Sequence, residues 1–147
     1  MSYQEKESYV NILSGILITA VYSWIIYQRH LDGQFDLTSD FRMWGILFLI
    51  YMGVNIVARI VIYIVFHIIN AIATREEDIP VEDERIKLIN LKATRNSHYA
   101  FSGGLLISFL LLATGMPVYI LFIAFIISGL ISEITENTSK LVYFRKG

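Results

Sequence analysis

Long apolar blocks separated by polar segments dominate the order of hydrophobic and polar positions along this chain. Four blocks stand out, at about residues 9–27, 43–66, 99–114 and 117–134. A helix needs roughly 20 apolar residues to cross the roughly 30 Å hydrocarbon core of a bilayer, because it rises 1.5 Å per residue. The pattern therefore predicts an all-α, polytopic membrane protein built as a bundle of four transmembrane helices.

The second block is longer than a crossing requires, because it stays apolar as far as residue 73. We expect this excess to be tilted, bent along the membrane surface or covered by another part of the chain. The polar segment that follows, residues 74–98, is the expected cover. Only Gly115 and Met116 join the third and fourth blocks, which predicts a tight helical hairpin. Together these elements predict one integral membrane domain over residues 1–147.

The amino-acid composition supports the membrane assignment. Hydrophobic residues make up 55% of the 147 residues, aromatic residues make up 14%, and the mean hydropathy is +0.56, which exceeds what a soluble domain carries. The first block follows Glu5, Lys6 and Glu7 rather than a basic flank, and no cleavage site follows it, so we expect it to be retained. We expect the N-terminal flank to act as an interfacial anchor.

The distribution of Lys and Arg predicts the orientation in the membrane. Nine of these residues fall in the N-terminal flank, the segment 74–98 and the C-terminal flank, whereas the opposite side has only Arg29 and Arg42. Short segments rich in Lys and Arg stay in the cytoplasm. We therefore predict a multi-pass protein of the plasma membrane with both termini in the cytoplasm.

A stripe of polar residues runs along the second block. Its members are spaced by four or three positions: Tyr51, Asn55, Arg59, Tyr63, His67 and Asn70. This spacing gathers them on one helix face, and a charge in lipid is costly, so we expect the face to point into the bundle. The first block offers a complementary row of small and polar residues at every fourth position: Asn11, Gly15, Thr19 and Ser23.

Depth in the membrane identifies a candidate partner for Arg59. Arg59 lies 17 residues in from Arg42, and Glu133 lies 16 residues in from Pro117, so each is roughly 25 Å from the outer surface. We hypothesise that Arg59 and Glu133 form an ion pair, which would lower the cost of either charge. The alternative is that each side chain extends independently to the inner headgroups.

The polar segment predicts a cytoplasmic helix that runs toward the third block. Pro80 suits its start, acids precede bases in an order that complements the helix dipole, and Asp83 and Lys87 have the spacing of an ion pair. The side chains Ile86, Ile89 and Ala93 form one apolar face, with Leu88 and Leu91 on another side. We expect this helix to offer a surface to a partner, through Asp83, Glu84, Arg85, Lys87, Lys92 and Arg95.

The stretch V-E-D-E-R-I-K-L-I-N-L-K-A-T-R-N-S-H-Y, from Val81 to Tyr99, resembles the signature of a family of small, uncharacterised prokaryotic membrane proteins. The matching positions are Asp83, Glu84, Arg85, Ile89, Lys92, Ala93 and Arg95. The resemblance implies a bacterial or archaeal inner membrane and the company of small helix-turn-helix regulators. It implies no established activity and supplies no catalytic residue.

The residues offer little support for catalysis or for a cofactor. The three histidines, His30, His67 and His98, lie on separate segments, and a metal site needs several converging ligands. The acidic run at 76–84 has no ligand alternation or turn glycine and is typical of a solvated helix start. The net charge of −1, with bases interleaved among acids, argues against direct nucleic-acid binding. We therefore expect neither an enzyme nor a cofactor.

Two functional hypotheses remain ahead of a membrane enzyme. The first is a non-enzymatic regulatory or scaffold protein of the lipid bilayer that presents its cytoplasmic helix to a soluble regulator. The alternative is a subunit of a small oligomeric transporter or channel, in which a homo-oligomer lines a path with Arg59, His67 and Glu133.

Overall fold

The computed structural model describes residues 2–74 and 83–146, which form four α-helices and, within those ranges, no strand. Helix α1 spans Tyr3–Leu31, α2 spans Phe41–Thr74, α3 spans Glu84–Ala113 and α4 spans Val118–Arg145. The predicted all-α class is confirmed. Among the described residues, α1, α4 and residues Phe41–Ala73 of α2 are long and apolar enough to cross a membrane, judged by length and composition.

Helix α3 joins the expected cytoplasmic helix and the third apolar block in one continuous helix of 30 residues. It begins at Glu84 because the Asp83 side chain caps it, accepting a hydrogen bond from the Ile86 backbone N–H at 2.8 Å. The expected ion pair between Asp83 and Lys87 is not among the salt bridges of the described residues, where the Asp83 carboxylate instead caps the helix. The expected start at Pro80 lies outside the described residues.

Short connections make the helices of each pair antiparallel. Between α1 and α2, Asp36 accepts hydrogen bonds from the Ser39 hydroxyl at 2.5 Å and from the Thr38 hydroxyl at 2.6 Å. These hydrogen bonds lower the pKa of Asp36 to about 2. Between α3 and α4 the chain turns at Gly115, whose φ of 87° favours glycine. The tight hairpin expected there is present.

The helices pack in the order α3, α4, α1, α2, and α2 also meets α4 through aromatic side chains. The Phe122 ring of α4 stacks on Trp44 of α2, with ring centroids 5.2 Å apart, and Phe48 of α2 contacts both Phe122 and Phe125. Large rings therefore hold α2 to α4 where their backbones do not approach closely.

Small residues allow α3 and α4 to approach closely, as their four-residue spacing predicts. The hydroxyl of the buried Ser108 donates to the Gly104 carbonyl at 2.8 Å, and that of Ser128 donates to the Ala124 carbonyl at 2.6 Å. A Cβ on Gly104 would lie 2.6 Å from the Ser128 Cβ and 3.3 Å from its Cα. Position 104 therefore has room only for glycine.

The described surface is largely apolar, and the interior is largely small and polar. Leu17, Leu49 and Ile72 are 63%, 72% and 74% exposed, whereas Ser8, Ser97 and Asn137 are buried. No residue is buried in the most apolar stretch of α2. This distribution is the one expected for helices whose outer faces contact lipid, since small polar residues mediate helix packing there.

The expected covering of the inner end of α2 by the segment 74–98 depends largely on residues 75–82, which lie outside the described residues. Within the described residues, helix α3 packs on α4, and the start of α1 lies against α2. The Tyr3 ring lies 5.4 Å from the Phe66 ring and 5.6 Å from that of His67, while Ile69 and Ile72 stay exposed. At this end of the bundle, aromatic side chains therefore join α1 to α2.

Two neighbouring glycines test the close contact of α3 with α4. Gly104→Ala should lower the free energy of unfolding by about 1–3 kcal/mol, because its Cβ would collide with the Ser128 Cβ at 2.6 Å, and a Cβ cannot move without the backbone that carries it. Gly103→Ala should leave stability unchanged or raise it by about 0.4–1 kcal/mol, because nothing lies within 4 Å. Thermal unfolding in detergent micelles measures both variants. Equal effects of the two substitutions would contradict this packing.

Candidate functional site

The polar stripe of α2 faces α1 and α4 through most of its length. The Tyr51 hydroxyl lies 2.7 Å from the Thr19 hydroxyl of α1. Nearer the C-terminal end of α2, Nε2 of His67 lies 2.9 Å from the Tyr3 hydroxyl. Close to the helix end, Lys6 donates to the Asn70 side chain at 3.4 Å. The stripe therefore supplies a ladder of polar contacts between α1 and α2.

Asn55 is the member of the stripe whose hydrogen bond stays within its own helix, because its Nδ2 donates to the Tyr51 carbonyl at 3.1 Å. Tyr63 is 47% exposed, its ring meets that of His67 edge-on at 4.3 Å, and its side chain is hydrogen-bonded to that of Tyr3 on α1. The structure thus brings five members of the stripe to other helices: Tyr51, Arg59, Tyr63, His67 and Asn70.

Arg59 and Glu133 are in direct contact, with Nη2 of Arg59 donating to Oε1 of Glu133. Their side chains are 35% and 25% exposed, so the pair is partly buried. A Cβ on Gly15 would lie 2.7 Å from Oε1 and 2.9 Å from Oε2 of Glu133, which shows that the carboxylate rests against the α1 backbone. Three helices, α1, α2 and α4, therefore meet at this ion pair.

A pair of asparagines follows the ion pair toward the inner end of α1 and α4. Asn137 is buried, and its Nδ2 donates to the Glu133 carbonyl at 3.0 Å. Its Oδ1 accepts from Nδ2 of Asn11 at 3.4 Å. The two amides satisfy each other inside the bundle, and they connect α1 to α4 directly beneath the ion pair.

The inner end of the bundle encloses a polar cavity of about 350 Å³. We call it the inner cavity; its polar lining includes Tyr3, Glu7, Asn11, Asn137 and Lys140. The Lys140 ammonium lies 2.8 Å from Oε1 of Glu136, its neighbour along α4. The cavity thus presents one carboxylate, one ammonium and several amide and hydroxyl groups to a single space.

Glu7 is the cavity-lining carboxylate that sequence reasoning missed, because it was expected only to anchor the N-terminal flank. It lies on α1 and faces the inner cavity. Among the described residues no group donates a hydrogen bond to this carboxylate. The missed signal is spacing, since Glu7 lies four positions before Asn11, at the start of the predicted row.

A second, mostly apolar cavity of about 320 Å³ runs between α1 and α2. We call it the α1–α2 groove; its apolar lining includes Val10, Ile60, Ile62, Ile64 and Phe66, and it reaches Arg59. It shares Glu7, Asn11 and Tyr63 with the inner cavity. The polar and apolar spaces therefore adjoin each other along the start of α1.

The expected partner surface lies on the first half of α3. All six of its side chains are exposed: Asp83, Glu84, Arg85, Lys87, Lys92 and Arg95. Within the described part of the chain, none of these four bases makes an ion pair. Leu88 and Leu91 are 50% and 69% exposed, whereas Ile89 and Ala93 are buried. One face of α3 packs on α4, and the other leaves leucines and bases uncovered.

Residues 2–74 and 83–146 contain no group of three or more His, Cys, Asp or Glu side chains that could hold a metal ion. His67 pairs with Tyr3, His30 lies near the Phe35 carbonyl in the α1–α2 connection, and His98 is exposed on α3. The acids at 76–78 and at 82 lie outside the described residues.

No protein-family model, curated protein or solved structure matches the chain. The resemblance of the stretch from Val81 to Tyr99 to a prokaryotic membrane family stays a prediction, and its first two residues lie outside the described ranges. The functional argument therefore depends on the geometry of this chain.

A double-mutant cycle tests the ion pair. Arg59→Gln and Glu133→Gln should each destabilise the fold, because each leaves a partly buried charge without its partner. The double variant should lose less than the two single effects together, which corresponds to a coupling of about 1–3 kcal/mol. Unfolding in detergent micelles gives the free energy of unfolding of the wild type, the two single variants and the double variant.

The matched control for this cycle is the bridge between Arg145 Nε and Glu5 Oε1, which spans 3.2 Å at the end of the bundle. Arg145→Gln and Glu5→Gln should couple more weakly than Arg59→Gln and Glu133→Gln, because the Arg145 side chain is 59% exposed and solvent screens its charge. If Arg59 and Glu133 couple no more strongly than this pair, independent extension to the headgroups is the better description.

A further variant tests the contact of the Glu133 carboxylate with α1. Gly15→Ala should destabilise the wild-type chain, because its Cβ would occupy the space of that carboxylate. The effect should largely disappear in a Glu133→Ala background, where the space is free. Gly53→Ala is the control, since nothing lies within 4 Å of it. Equal effects of Gly15→Ala in both backgrounds would contradict the contact.

Proposed function

We propose that this protein is a non-enzymatic regulatory or scaffold protein of the prokaryotic plasma (inner) membrane, which binds a soluble cytoplasmic regulator through the first half of α3. In this proposal all four helices cross the bilayer and both termini are cytoplasmic. The distribution of nine Lys and Arg residues on one side supports that orientation.

Helix length supports a bundle that extends beyond the bilayer. The helices contain 29, 34, 30 and 28 residues, so they are roughly 42–51 Å long at 1.5 Å per residue. The hydrocarbon core is only roughly 30 Å thick. The part of a helix that exceeds this thickness carries the most charge in α3, where four bases precede the apolar half: Arg85, Lys87, Lys92 and Arg95. This half of α3 is therefore proposed to project into the cytoplasm, supported on one side by α4.

The observation that carries the proposal is the uncovered face of α3. Leu88 and Leu91 are half or more exposed, and the exposed bases Lys92 and Arg95 follow each of them four residues later, on the same side of the helix. Exposed leucines are expected where a helix faces lipid, but not at a charged, cytoplasmic level. Apolar anchors surrounded by charges are typical of a surface that binds a partner helix or groove.

Hydrogen bonds between α3 and α4 support the proposal that this face of α3 is held rigidly. Asn96 donates to the Ser139 hydroxyl at 3.1 Å and to the Tyr143 hydroxyl at 3.0 Å. The Ser132 hydroxyl donates to the Ser97 carbonyl at 2.9 Å. Because these bonds fix the opposite side of α3, a partner would meet a surface that needs no folding step before binding.

A subunit of a small oligomeric transporter or channel is the second candidate. It is favoured by α2, whose most apolar stretch has no buried residue and is free to pack on a second copy. It is also favoured by the cavities that contact Glu7 and Arg59, since ionisable residues mark transport paths. In this second candidate, several copies of the chain would form a homo-oligomer, and the solute would pass along α1 and α2.

Affinity purification from native membranes in mild detergent tests the first proposal. The wild-type chain is compared with a variant in which Arg85, Lys87, Lys92 and Arg95 are all changed to Ala. A soluble regulator should be recovered with the wild type and lost with the variant, because the variant removes the charges around the leucines. Recovery of only self-oligomers from both chains would contradict the proposal and favour the transporter or channel subunit.

Two controls separate binding from folding and orientation. A variant with the two arginines changed to Lys and the two lysines changed to Arg keeps the charge and should still recover the regulator. Removal of cytoplasmic bases can invert a membrane protein, so the orientation of each chain is checked with a periplasmic reporter fused after Gly147. The reporter should stay inactive in every chain. An active reporter on the wild-type chain would contradict the proposed orientation.

A further inference from the structure

We propose that the inner cavity and the α1–α2 groove together bind one zwitterionic aminophospholipid, with its ammonium at Glu7, its phosphate at Lys140 and an acyl chain in the groove. The inference does not depend on a regulator at α3. It rests on the proposed membrane placement for the depth of the site and for the leaflet, which would be the cytoplasmic one.

The shape of the two spaces matches an amphiphile. The inner cavity of about 350 Å³ is lined by carboxylate, ammonium, amide and hydroxyl groups, and the α1–α2 groove of about 320 Å³ is lined mainly by aliphatic and aromatic side chains. They meet at Glu7, Asn11 and Tyr63, so a molecule with a polar end and an apolar tail would occupy both. Each volume lies in the range of small-molecule sites.

The charges of the inner cavity fit an ammonium and a phosphate. Glu7 faces the cavity and, among the described residues, accepts no hydrogen bond, so it is complementary to a cation that donates N–H groups. The Lys140 ammonium is held at 2.8 Å by Glu136, and it has three N–H donors, so others remain for a phosphate. A headgroup with both charges would satisfy Glu7 and Lys140 together.

Hydrogen-bonding chemistry selects among headgroups. A primary ammonium donates N–H bonds to Glu7, whereas the quaternary ammonium of a choline headgroup has none to donate. A glycerol headgroup carries the phosphate charge for Lys140 but no cation for Glu7. The site should therefore prefer an ethanolamine headgroup over choline and over glycerol.

The level of the site in the bundle supports a lipid rather than a free solute. Glu7 lies near the start of α1 and Lys140 near the end of α4, beside the boundary expected for the bilayer. The groove runs from there toward Arg59, along the part of α1 and α2 expected within the inner leaflet. A lipid would enter this space with its headgroup already at the correct depth.

Lipid binding to the purified full chain tests the inference. Phosphatidylethanolamine, phosphatidylcholine and phosphatidylglycerol with the same acyl chains are titrated into the detergent-solubilised protein, and native mass spectrometry counts the bound molecules. One phosphatidylethanolamine should bind about tenfold or more tightly than either other lipid, as expected for a lost charge-assisted hydrogen bond. Equal binding of all three lipids would overturn the proposal.

Variants of the inner cavity show where phosphatidylethanolamine binds. Glu7→Gln and Lys140→Gln should each weaken phosphatidylethanolamine binding about tenfold or more, whereas Glu84→Gln and Lys92→Gln, both exposed on α3, should leave it unchanged. Equal binding by the cavity variants and by the α3 variants would overturn the proposal. Circular dichroism and the unfolding temperature confirm that each chain is folded before it is compared.

A third comparison tests the acyl chain and remains informative if Glu7→Gln fails to fold. Val10→Trp fills the groove without changing a charge, and it should weaken phosphatidylethanolamine binding. Val21→Trp, on the exposed surface of the same helix, is its control. Soluble phosphoethanolamine should bind far more weakly than the lipid. If it binds as tightly, or if Val10→Trp has no effect, the site takes a free solute and the lipid proposal is wrong.

Discussion

The ion pair between Arg59 and Glu133 is the interaction on which the arrangement of α1, α2 and α4 depends. Helix α2 carries the longest apolar surface and packs least on its neighbours, so apolar contact alone does not define its position. The pair fixes α2 to α4, and Gly15 brings the same carboxylate against α1. Since an unpaired charge is costly in lipid, this contact also determines which face of α2 turns inward.

Periodicity predicted the fold class and much of this contact. The four-residue spacing of the α2 stripe indicated its inward face, and equal depth paired Arg59 with Glu133, because rise per residue is nearly constant in a helix. Other features depend on tertiary packing, which periodicity does not report. The contacts of Tyr3 with Phe66 and His67, for example, join the start of α1 to the inner end of α2, and no spacing in the sequence indicated them. Glu7 was missed because its charge resembled that of a solvated flank.

Three surfaces with different chemistry follow from the way the residues are distributed over the helices. The outer faces of the helices are apolar, the first half of α3 exposes leucines and bases, and the start of α1 encloses the inner cavity with α2 and α4. The cavity and the α3 face share α4 as their support, because Asn137 and Lys140 line the cavity while Ser139 and Tyr143 bond to α3. A ligand in the cavity and a partner on α3 would thus act on the same helix.

The distance between α2 and α4 tests the central claim most directly. The chain contains no cysteine, so spin labels attached at Met52→Cys and Ile131→Cys, both exposed on these helices, report one distance. The account predicts a single narrow distance distribution in bicelles, and a broader one when Glu133→Gln is added, because α2 then loses the charge that fixes it. An unchanged, narrow distribution in the Glu133→Gln chain would show that α2 is held by other contacts and would contradict the account.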